Sequence, residues 1–415
     1  MKKIFFIINI LIYSINFSQT WTTGAEIPQG FRASNVAAYK NEVTNNGYLY
    51  LISGRDFDGN ISSRNQRYDV TNNTWIDMAS SPTGVLSAAT AILKDSIYLI
   101  GGVVTTPGSP TRKVYKYSIN QNTWSQVASH PVNIYDSEAV AYQDSLIYVV
   151  GGYNTGKTRI YNSKKNSWRN ATAILPNGSI SWGALSVSGN KLVYVCGSSN
   201  FLSTNYFNTV RIGTIDQNNR ANITWTNATP FPGETRTFFD VCPWQNGLIM
   251  TGGSTNNTFE TNSNECYFYN VDADTWTQLA SKPTSWLTGN SASLLIDNQW
   301  KLICASGYNN SGYLLNTEIF SSAVLKNNDF EVSNCNWQNF RINKSIITFC
   351  NELETSLEIM IHSTNGALVL VIPSTKYEIG KNEINITNDS ISTGMYLFTL
   401  KSKENSVTKK IFINN

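Results

Sequence analysis

The chain has 415 residues, of which 41% are hydrophobic, 12% aromatic and only 14% charged. This composition is typical of a globular, strand-rich protein that buries a large core. The formal net charge is +3, and cleavage of a leader that contains Lys2 and Lys3 would lower it further. Nucleic-acid binding depends on a basic stripe that a chain of this charge lacks, so we expect no nucleic-acid partner.

Residues 1–18 have the pattern of a secretory signal peptide. Lys2 and Lys3 precede an apolar run from Ile4 to Tyr13, and small and polar residues follow it. The run is shorter than the ~20 residues that span a membrane. We therefore expect cleavage and export, with no transmembrane segment in the mature chain. An uncleaved anchor is the alternative.

Tryptophans and glycine turns then alternate at a nearly constant interval. The series reads Trp21, Gly54, Trp75, Gly102, Trp124, Gly152, Trp168, Gly197, Trp225, Gly253, Trp276 and Gly307. A period of about 50 residues is the span of one four-stranded propeller blade. The spacing therefore predicts a ring of six sheets.

Each repeat also has internal order. A tyrosine precedes the tryptophan by seven residues in four repeats, as in Tyr68 and Trp75. Apolar strands end in glycine turns, as in Tyr98-Leu-Ile-Gly-Gly102. These features resemble the kelch repeat over about residues 21–325 and imply an all-β fold with a six-bladed propeller. The fourth repeat departs from the pattern, with Gly213 at the tyrosine position.

The order of the repeat bears on how the ring closes. The series of tryptophans and glycine turns begins with Trp21 and ends with Gly307, so the last repeat lacks a tryptophan strand of its own. Trp337 is out of register as a substitute, since Phe320 occupies the sixth tyrosine position. We expect the strand around Trp21 to complete the sixth blade and remove the open edges. The alternative is that Trp21 only packs on the first blade.

After Ala323 a different unit begins, and alternating apolar residues predict a small C-terminal β-sandwich. Its expected strands are 357–361, 367–372, 383–386, 395–400 and 408–413. The segments Ile359-Met-Ile-His-Ser-Thr-Asn-Gly-Ala-Leu-Val369, Gly394-Met-Tyr-Leu-Phe398 and Thr408-Lys-Lys-Ile411 resemble the type A C-terminal sorting domain of the bacterial type IX secretion system. The resemblance implies the secretion machinery as a partner, and release or attachment at the outer cell surface by way of the periplasm. An accessory sandwich that binds cell wall or sugar is the alternative.

The expected organisation is therefore a signal peptide at 1–18, a propeller at 19–325, a joint at 326–344 and a sorting domain at 345–415. An exported chain meets an oxidising compartment, where even cysteine counts often indicate disulfides. Cys335 and Cys350 lie 15 residues apart, and a bridge closing such a loop contributes ~3 kcal/mol. The other four cysteines fall on or beside strands, where free buried thiols are an equally good interpretation.

The residue content of the chain argues against most classes of catalytic site. His130 is the only histidine of the propeller region, which disfavours histidine-rich metal sites and a Ser-His-Asp system. The copper oxidases built on kelch-like propellers need two histidines, so the resemblance to these enzymes stops at the fold. Neither a C-x-x-C pair nor a phosphate-binding loop occurs. We therefore expect no metal and no cofactor.

Function on a propeller usually gathers on the face formed by the loops that lead into the innermost strands and the loops after the glycine turns. The ligand-binding candidates on these loops are Arg55, Tyr135, Asp136, Trp182, Arg236, Asp240 and Trp286. Aromatic rings stack on sugar faces and arginine binds carboxylates in a bidentate fork. For the tryptophans, packing between blades is the alternative, and for Glu234, Arg236 and Asp240 it is a mutual surface ion cluster.

Two functions remain open at this stage, beside a purely structural role in which the whole propeller packs in a surface layer. The first is an exported or cell-surface binding module for a carbohydrate or a protein partner. The second is a sugar mutarotase or epimerase similar to N-acetylneuraminate epimerase, itself a six-bladed kelch propeller. In that case an acid and base pair moves the anomeric proton and an arginine holds the substrate carboxylate. The candidates for these roles are Glu234, Glu138, Arg236 and Arg32.

Overall fold

The computed structural model describes residues 19–104, 108–199, 206–297, 299–322, 337, 340–343, 346–351, 353–364, 366–385, 391 and 394–413. The chain divides into two compact units, Met1–Val324 and Leu325–Asn415. The expected signal peptide and most of the expected joint lie outside the described residues. Within the described ranges no α-helix occurs, and no helix is long and apolar enough to cross a membrane.

The first unit contains six four-stranded antiparallel sheets, each of which is one blade. Strand β1 (Gln19–Thr23) precedes the first blade. The strands of each blade follow from the innermost outward. The first blade contains β2 (Asn35–Lys40), β3 (Gly47–Arg55), β4 (Ile61–Asp69) and β5 (Thr74–Met78), and the second contains β6 (Ala89–Leu93), β7 (Ser96–Ile100), β8 (Val114–Ser118) and β9 (Thr123–Val127). The third contains β10 (Glu138–Tyr142), β11 (Leu146–Val150), β12 (Thr158–Asn162) and β13 (Ser167–Ala171), and the fourth contains β14 (Ala184–Ser188), β15 (Lys191–Val195), β16 (Val210–Ile215) and β17 (Ile223–Ala228). The fifth contains β18 (Asp240–Trp244), β19 (Gly247–Thr251), β20 (Cys266–Asn270) and β21 (Thr275–Leu279). The sixth contains β22 (Asn290–Ile296), β23 (Gln299–Ala305), β26 (Thr317–Ser322) and β1, and one of its loops forms the hairpin β24 (Tyr308–Asn309) and β25 (Gly312–Tyr313).

The innermost strands β2, β6, β10, β14, β18 and β22 each contact the innermost strands of the two neighbouring blades. They form a closed ring around a central channel. The chain is therefore an all-β six-bladed propeller, as the repeat predicts. Its core lies between the blades, where apolar side chains from adjacent sheets form mixed clusters such as Tyr50, Ile97 and Tyr117.

The ring closes through the N-terminal strand. Strand β1 pairs antiparallel with β26, and Trp21 lies opposite Phe320. Their rings are 5.1 Å apart between centroids. The prediction that the Trp21 strand completes the sixth blade is confirmed, and β26 has no open edge.

The blade tryptophans share one hydrogen bond that joins each blade to the one before it. Every indole N–H donates to the backbone carbonyl four residues after the tryptophan of the preceding blade. The six donor–acceptor pairs are Trp75 to Ala25 at 3.1 Å, Trp124 to Ala79 at 2.8 Å, Trp168 to Ala128 at 2.8 Å, Trp225 to Thr172 at 3.1 Å, Trp276 to Thr229 at 3.2 Å and Trp21 to Ala280 at 2.9 Å. The bond from Trp21 completes this circle of six.

The spacing of seven residues between tyrosine and tryptophan has a structural reason. Tyr68 and Trp75 lie opposite each other across the hairpin of two neighbouring strands. The hydroxyl of Tyr68 donates to Asn73 in the connecting turn at 2.6 Å, and Asn73 also accepts the N–H of Ala25 from the preceding blade at 2.6 Å. The turn residue has φ 52°, a conformation that asparagine tolerates better than most residues. Asn122, Asn166 and Asp274 repeat this arrangement.

The second unit is a small β-structure of two sheets. One sheet contains β27 (Arg341–Asn343), β28 (Ile346–Asn351) and β31 (Gly380–Asn385), and the other contains β30 (Leu368–Tyr377), β29 (Thr355–Ser363), β32 (Gly394–Lys401) and β33 (Ser406–Ile413). Each of the five expected strands overlaps one of these, and β27 and β28 are additional. Ile359, Phe398 and Phe349 are fully buried in its core.

Four of the six cysteines belong to the first unit and two to the second. Cys196, Cys242, Cys266 and Cys304 are buried free thiols, in line with the second interpretation of these positions. Cys335 lies outside the described residues, and only the backbone of Cys350 is described. A disulfide between these two remains a prediction.

Candidate ligand site at the channel mouth

Equivalent residues of the six blades form a ring around one end of the channel. The mouth ring consists of the residue two positions before each innermost strand: Ala33, Ser87, Asp136, Trp182, Phe238 and Thr288. All six have φ between 49° and 57°, a region costly for residues other than glycine. Backbone hydrogen bonds between successive members, such as Asp136 N–H to Ser87 O at 3.0 Å, hold the ring together.

A second ring lies two residues further along each chain segment. The channel ring consists of the first residue of each innermost strand: Asn35, Ala89, Glu138, Ala184, Asp240 and Asn290. The channel has a volume of about 410 Å³, and all of the mouth ring and the four polar members of the channel ring line it. Three carboxyl groups, Asp136, Glu138 and Asp240, therefore open onto one cavity.

Burial dominates the protonation of these carboxyls. It raises the pKa of Asp136 to about 7, against hydrogen bonds from the side chains of Ser87 and Trp182. Burial also raises the pKa of Asp240 to about 7, although this carboxylate accepts the N–H groups of Val241 at 2.8 Å and Ser291 at 2.6 Å.

Glu138 differs from the two aspartates. Burial, and then the charges of Asp240 and Asp136, raise the pKa of its carboxyl well above the usual range. Among the described residues it has no ion pair and no hydrogen-bond donor. Carboxyls that are desolvated and close to like charges are typical of functional sites.

An unbroken series of aromatic contacts runs around the loop face beside the channel mouth. The aromatic arc, with distances between ring centroids or from the Arg32 guanidinium carbon to the ring, is Tyr135 to Tyr153 at 4.9 Å, Tyr153 to Trp182 at 6.3 Å, Trp182 to Phe238 at 5.8 Å, Phe238 to Phe259 at 5.3 Å, Phe259 to Arg32 at 5.4 Å, Arg32 to Tyr308 at 5.7 Å, Tyr308 to Tyr313 at 5.6 Å and Tyr313 to Phe57 at 6.1 Å. Members come from five of the six blades.

Several rings of the aromatic arc face solvent. Phe57 is 82% exposed, Tyr153 40% and Phe259 36%. Trp182 and Phe238 are half-buried and belong to the mouth ring, so the aromatic arc reaches the channel itself. An exposed set of contiguous rings marks a binding surface more often than a folding feature.

The structure brings most of the sequence candidates to this site. Asp136, Glu138, Asp240 and Trp182 line the channel, and Tyr135 and Arg32 lie in the aromatic arc. Arg55 is the last residue of β3 in the first blade. Its backbone pairs with that of Arg32, and its guanidinium donates to Gly59 O at 3.1 Å.

Two other candidates point into the protein. Arg236 is 1% exposed, is paired with Glu265 and lies with its guanidinium carbon 5.7 Å from the centre of the Phe231 ring. Trp286 is also 1% exposed, and its ring fills the space that side chains at Gly252 and Gly289 would occupy. Neither side chain reaches a ligand on the loop face in this arrangement.

Glu234 is exposed and lies outside the channel. It borders a separate groove together with Glu260 and Glu265. The cluster of Glu234, Arg236 and Asp240 considered as an alternative does not form. Arg236 pairs with Glu265, and Asp240 accepts the backbone N–H groups of Val241 and of Ser291 in the sixth blade.

His130 has a structural role. It is fully buried, its ring lies edge-on to Trp168 at 4.8 Å between centroids, and its Nδ1 is 2.7 Å from Val132 O. Burial lowers the pKa of its imidazole to about 4, so the ring is neutral at physiological pH.

Sequence reasoning missed Phe57, Phe238 and Phe259. Phe238 could have been found by position, because it precedes Asp240 by two residues as Trp182 precedes Ala184. Phe57 and Phe259 lie in loops after glycine turns, and only their contacts with Tyr313 and Phe238 place them at the site.

Comparisons with known proteins agree with this architecture. A family model described as the Attractin/LZTR1 beta-propeller matches residues 49–211, and one described as the secretion system C-terminal sorting domain matches residues 339–414. The solved structure of YjhT superimposes with a TM-score of 0.56 at 15% identity, over 70% of this chain and 95% of that chain.

Curated relatives match part of the propeller. Mouse Kelch-like protein 23 is 29% identical over 45% of this chain and 33% of its own length. Human Kelch-like protein 38 is 31% identical over 23% of this chain and 15% of its own length. The chain spans about a third of the length of the first of these relatives.

The fold and these matches define an exported β-propeller protein. More particularly, it is a kelch-type propeller that carries a C-terminal sorting domain of the type IX secretion system. That domain is the part recognised by the secretion machinery, and it directs the protein to the cell surface or the medium.

Proposed function

We propose that the exported propeller is a carbohydrate-binding module whose ligand lies on the aromatic arc and reaches into the channel mouth. The observation that carries the proposal is the continuous aromatic arc from Tyr135 to Phe57, in which Arg32 joins two runs of rings and Phe57, Tyr153 and Phe259 are exposed. Sugar rings present apolar C–H faces that pack on aromatic rings, while their hydroxyls need polar partners. The polar channel wall beside Trp182 supplies such partners.

A protein partner would use the same surface differently. Protein interfaces take aromatic anchors into closed pockets surrounded by a polar rim. Here the rings surround the mouth of an open channel whose wall carries both polar and apolar side chains. This favours a narrow ligand that enters the channel over the broad, flat surface of a protein.

Mutarotase or epimerase activity is the second candidate. It is favoured by Glu138 and Asp240, two carboxyls with raised pKa that open onto the same cavity and could supply an acid and a base. Of the candidate clamps for a sugar carboxylate, Arg236 is buried and paired with Glu265, and Arg32 stacks on two rings of the aromatic arc. Binding therefore has the stronger support.

The test of binding is a glycan array probed with the secreted full-length protein, followed by calorimetry on any glycan that binds. Phe259→Ala and Tyr153→Ala should each weaken binding by roughly 10-fold, because each removes one stacking surface. The matched control is Ile76→Ala, which truncates an apolar side chain that is 45% exposed on the outermost strand β5. Equal binding by all three variants would contradict the proposal.

Catalysis is tested separately by proton NMR of anomer exchange. An enzyme would accelerate exchange, and Glu138→Gln would lower the rate by ~10²-fold or more. A binding module gives glycan binding without acceleration. Acceleration that is lost in Glu138→Gln would replace the binding module by the epimerase.

A further inference from the structure

The channel wall carries acidic but no basic side chains. Asp136, Glu138 and Asp240 line it, whereas no lysine, arginine or histidine among the described residues does. An anionic ligand entering the channel would meet three acidic side chains with no basic side chain beside them, which is unfavourable. A ligand with a positive group would instead stabilise the ionised forms of these carboxyls, whose pKa burial raises in the ligand-free protein.

Unpartnered polar groups in the same wall also point to a ligand. Asn35 is 2% exposed and Ser137 3% exposed. The side-chain carbonyl oxygen of Asn35 and the hydroxyl of Ser137 have no hydrogen-bond partner among the described residues, and both residues line the channel. Buried polar groups are nearly always hydrogen-bonded in proteins, so these two groups in the channel wall call for a hydrogen-bond partner from a ligand.

The surroundings favour an organic cation over a metal ion. No group of three or more histidine, cysteine, aspartate or glutamate side chains among the described residues is arranged to hold a metal. Trp182 and Phe238 stand in the mouth ring with their centroids 5.8 Å apart. Aromatic faces next to carboxylates are the environment in which proteins hold ammonium groups.

We infer that the channel mouth binds the ammonium group of an amino sugar, with the sugar ring stacked on the adjacent part of the aromatic arc. The inference rests on the proposed carbohydrate binding and narrows it to cationic sugars. The ammonium group has three N–H donors, and the channel wall offers it the carboxyl groups of Glu138 and Asp136 and the side-chain carbonyl oxygen of Asn35 as acceptors. A channel of about 410 Å³ lies within the ~300–1,000 Å³ of small-molecule sites.

The experiment is calorimetry on the full-length protein at neutral pH with three probes. They are a glucosamine hexasaccharide, the N-acetylglucosamine hexasaccharide of the same length, and the diamine cadaverine. The two glycans differ only at the nitrogen atoms, which are ammonium groups in the first and acetamido groups in the second, and cadaverine has ammonium groups without a sugar. The glucosamine oligomer should bind at least ~10-fold more tightly than its acetylated counterpart, which corresponds to one charge-assisted hydrogen bond.

Variants assign the preference to the channel. Glu138→Gln and Asp136→Asn keep the shape of the side chain but cannot ionise to pair with the ammonium group, so each should abolish the preference for the glucosamine oligomer. The matched control is Glu234→Gln, the same substitution at an exposed carboxylate outside the channel, and it should keep the preference. Thermal unfolding of each variant verifies that it is folded. If Glu138→Gln does not fold, Asp136→Asn provides the test.

The outcomes separate this inference from the function on which it rests. Equal affinity for both glycans, weakened by Phe259→Ala, would overturn the amino-sugar inference and leave carbohydrate binding standing. Cadaverine bound as tightly as the glucosamine oligomer would overturn it too, because the sugar would then contribute nothing. No binding of either glycan, with no other glycan bound on the array, would overturn both.

Discussion

At the scale of single residues, the channel carboxyls link stability to pH. Carboxyls of an unfolded chain ionise near pH 4. In the folded protein, burial raises the pKa of Asp136 and of Asp240 to about 7 and raises the pKa of Glu138 well above its usual range. Between these values the folded state binds more protons than the unfolded state. Its stability therefore falls as pH rises from about 4 towards 7.

This gives a measurable prediction for the ligand-free protein. The contribution of these groups should make the thermal midpoint higher at about pH 5 than at about pH 8, and Glu138→Gln should reduce the difference because glutamine does not titrate. Glu234→Gln removes an exposed carboxyl and should leave the difference unchanged. Scanning calorimetry of the three proteins checks this, and an identical pH dependence in Glu138→Gln and wild type would contradict it.

Single residues were also the level at which sequence reasoning had least success. Arg236 and Trp286 fall on loops, where arginine and tryptophan suggest ligand contact, yet both are buried by tertiary packing. The glycines at Gly252 and Gly289, which leave room for the indole of Trp286, lie 34 and 3 residues from it in the chain. Nothing local in a sequence shows that such residues meet.

At the scale of elements, the repeat made the blades predictable because all six blades reuse the tryptophan hydrogen bond and four of them reuse the contact of a tyrosine with the turn before the tryptophan. The tyrosine, turn asparagine and tryptophan form one local unit, and the tryptophan also reaches the preceding blade through its indole N–H. Closure by β1 followed from counting these units. The aromatic arc was only partly predictable, since its contacts join loops of different blades that share no periodic signal.

The closing strand provides a test at this scale. Trp21 is half-buried, packs on Phe320 and donates to Ala280 O. Trp21→Ala should lower the free energy of unfolding by ~2 to 4 kcal/mol, somewhat less than loss of a fully buried tryptophan. Trp21→Phe keeps an aromatic ring but loses the hydrogen bond, and should cost ~1 kcal/mol.

Denaturant unfolding of the purified variants measures both changes. Thr23→Ala is the control, because Thr23 lies on the same strand and its side chain is exposed. A Trp21→Ala protein as stable as the Thr23→Ala protein would show that the closing contacts contribute nothing, whatever their geometry.

At the scale of the whole molecule, the two units have separable tasks. All six blades are completed by strands between Gln19 and Ser322, so the described propeller borrows no strand from the C-terminal unit. The sorting-domain match begins at residue 339. A chain without residues 339–415 should therefore fold as a propeller but lack the signal for the outer membrane.

The last prediction follows from this division. In a host with a type IX system, the protein lacking residues 339–415 should accumulate in the periplasm, while the full-length protein reaches the cell surface or the medium. Cell fractionation measures the distribution, and far-ultraviolet circular dichroism of the truncated protein shows whether the β-structure is intact. Fusion of residues 339–415 to an unrelated periplasmic protein is the reciprocal control and should export it. A folded, truncated propeller found outside the cell would show that another part of the chain carries the export signal.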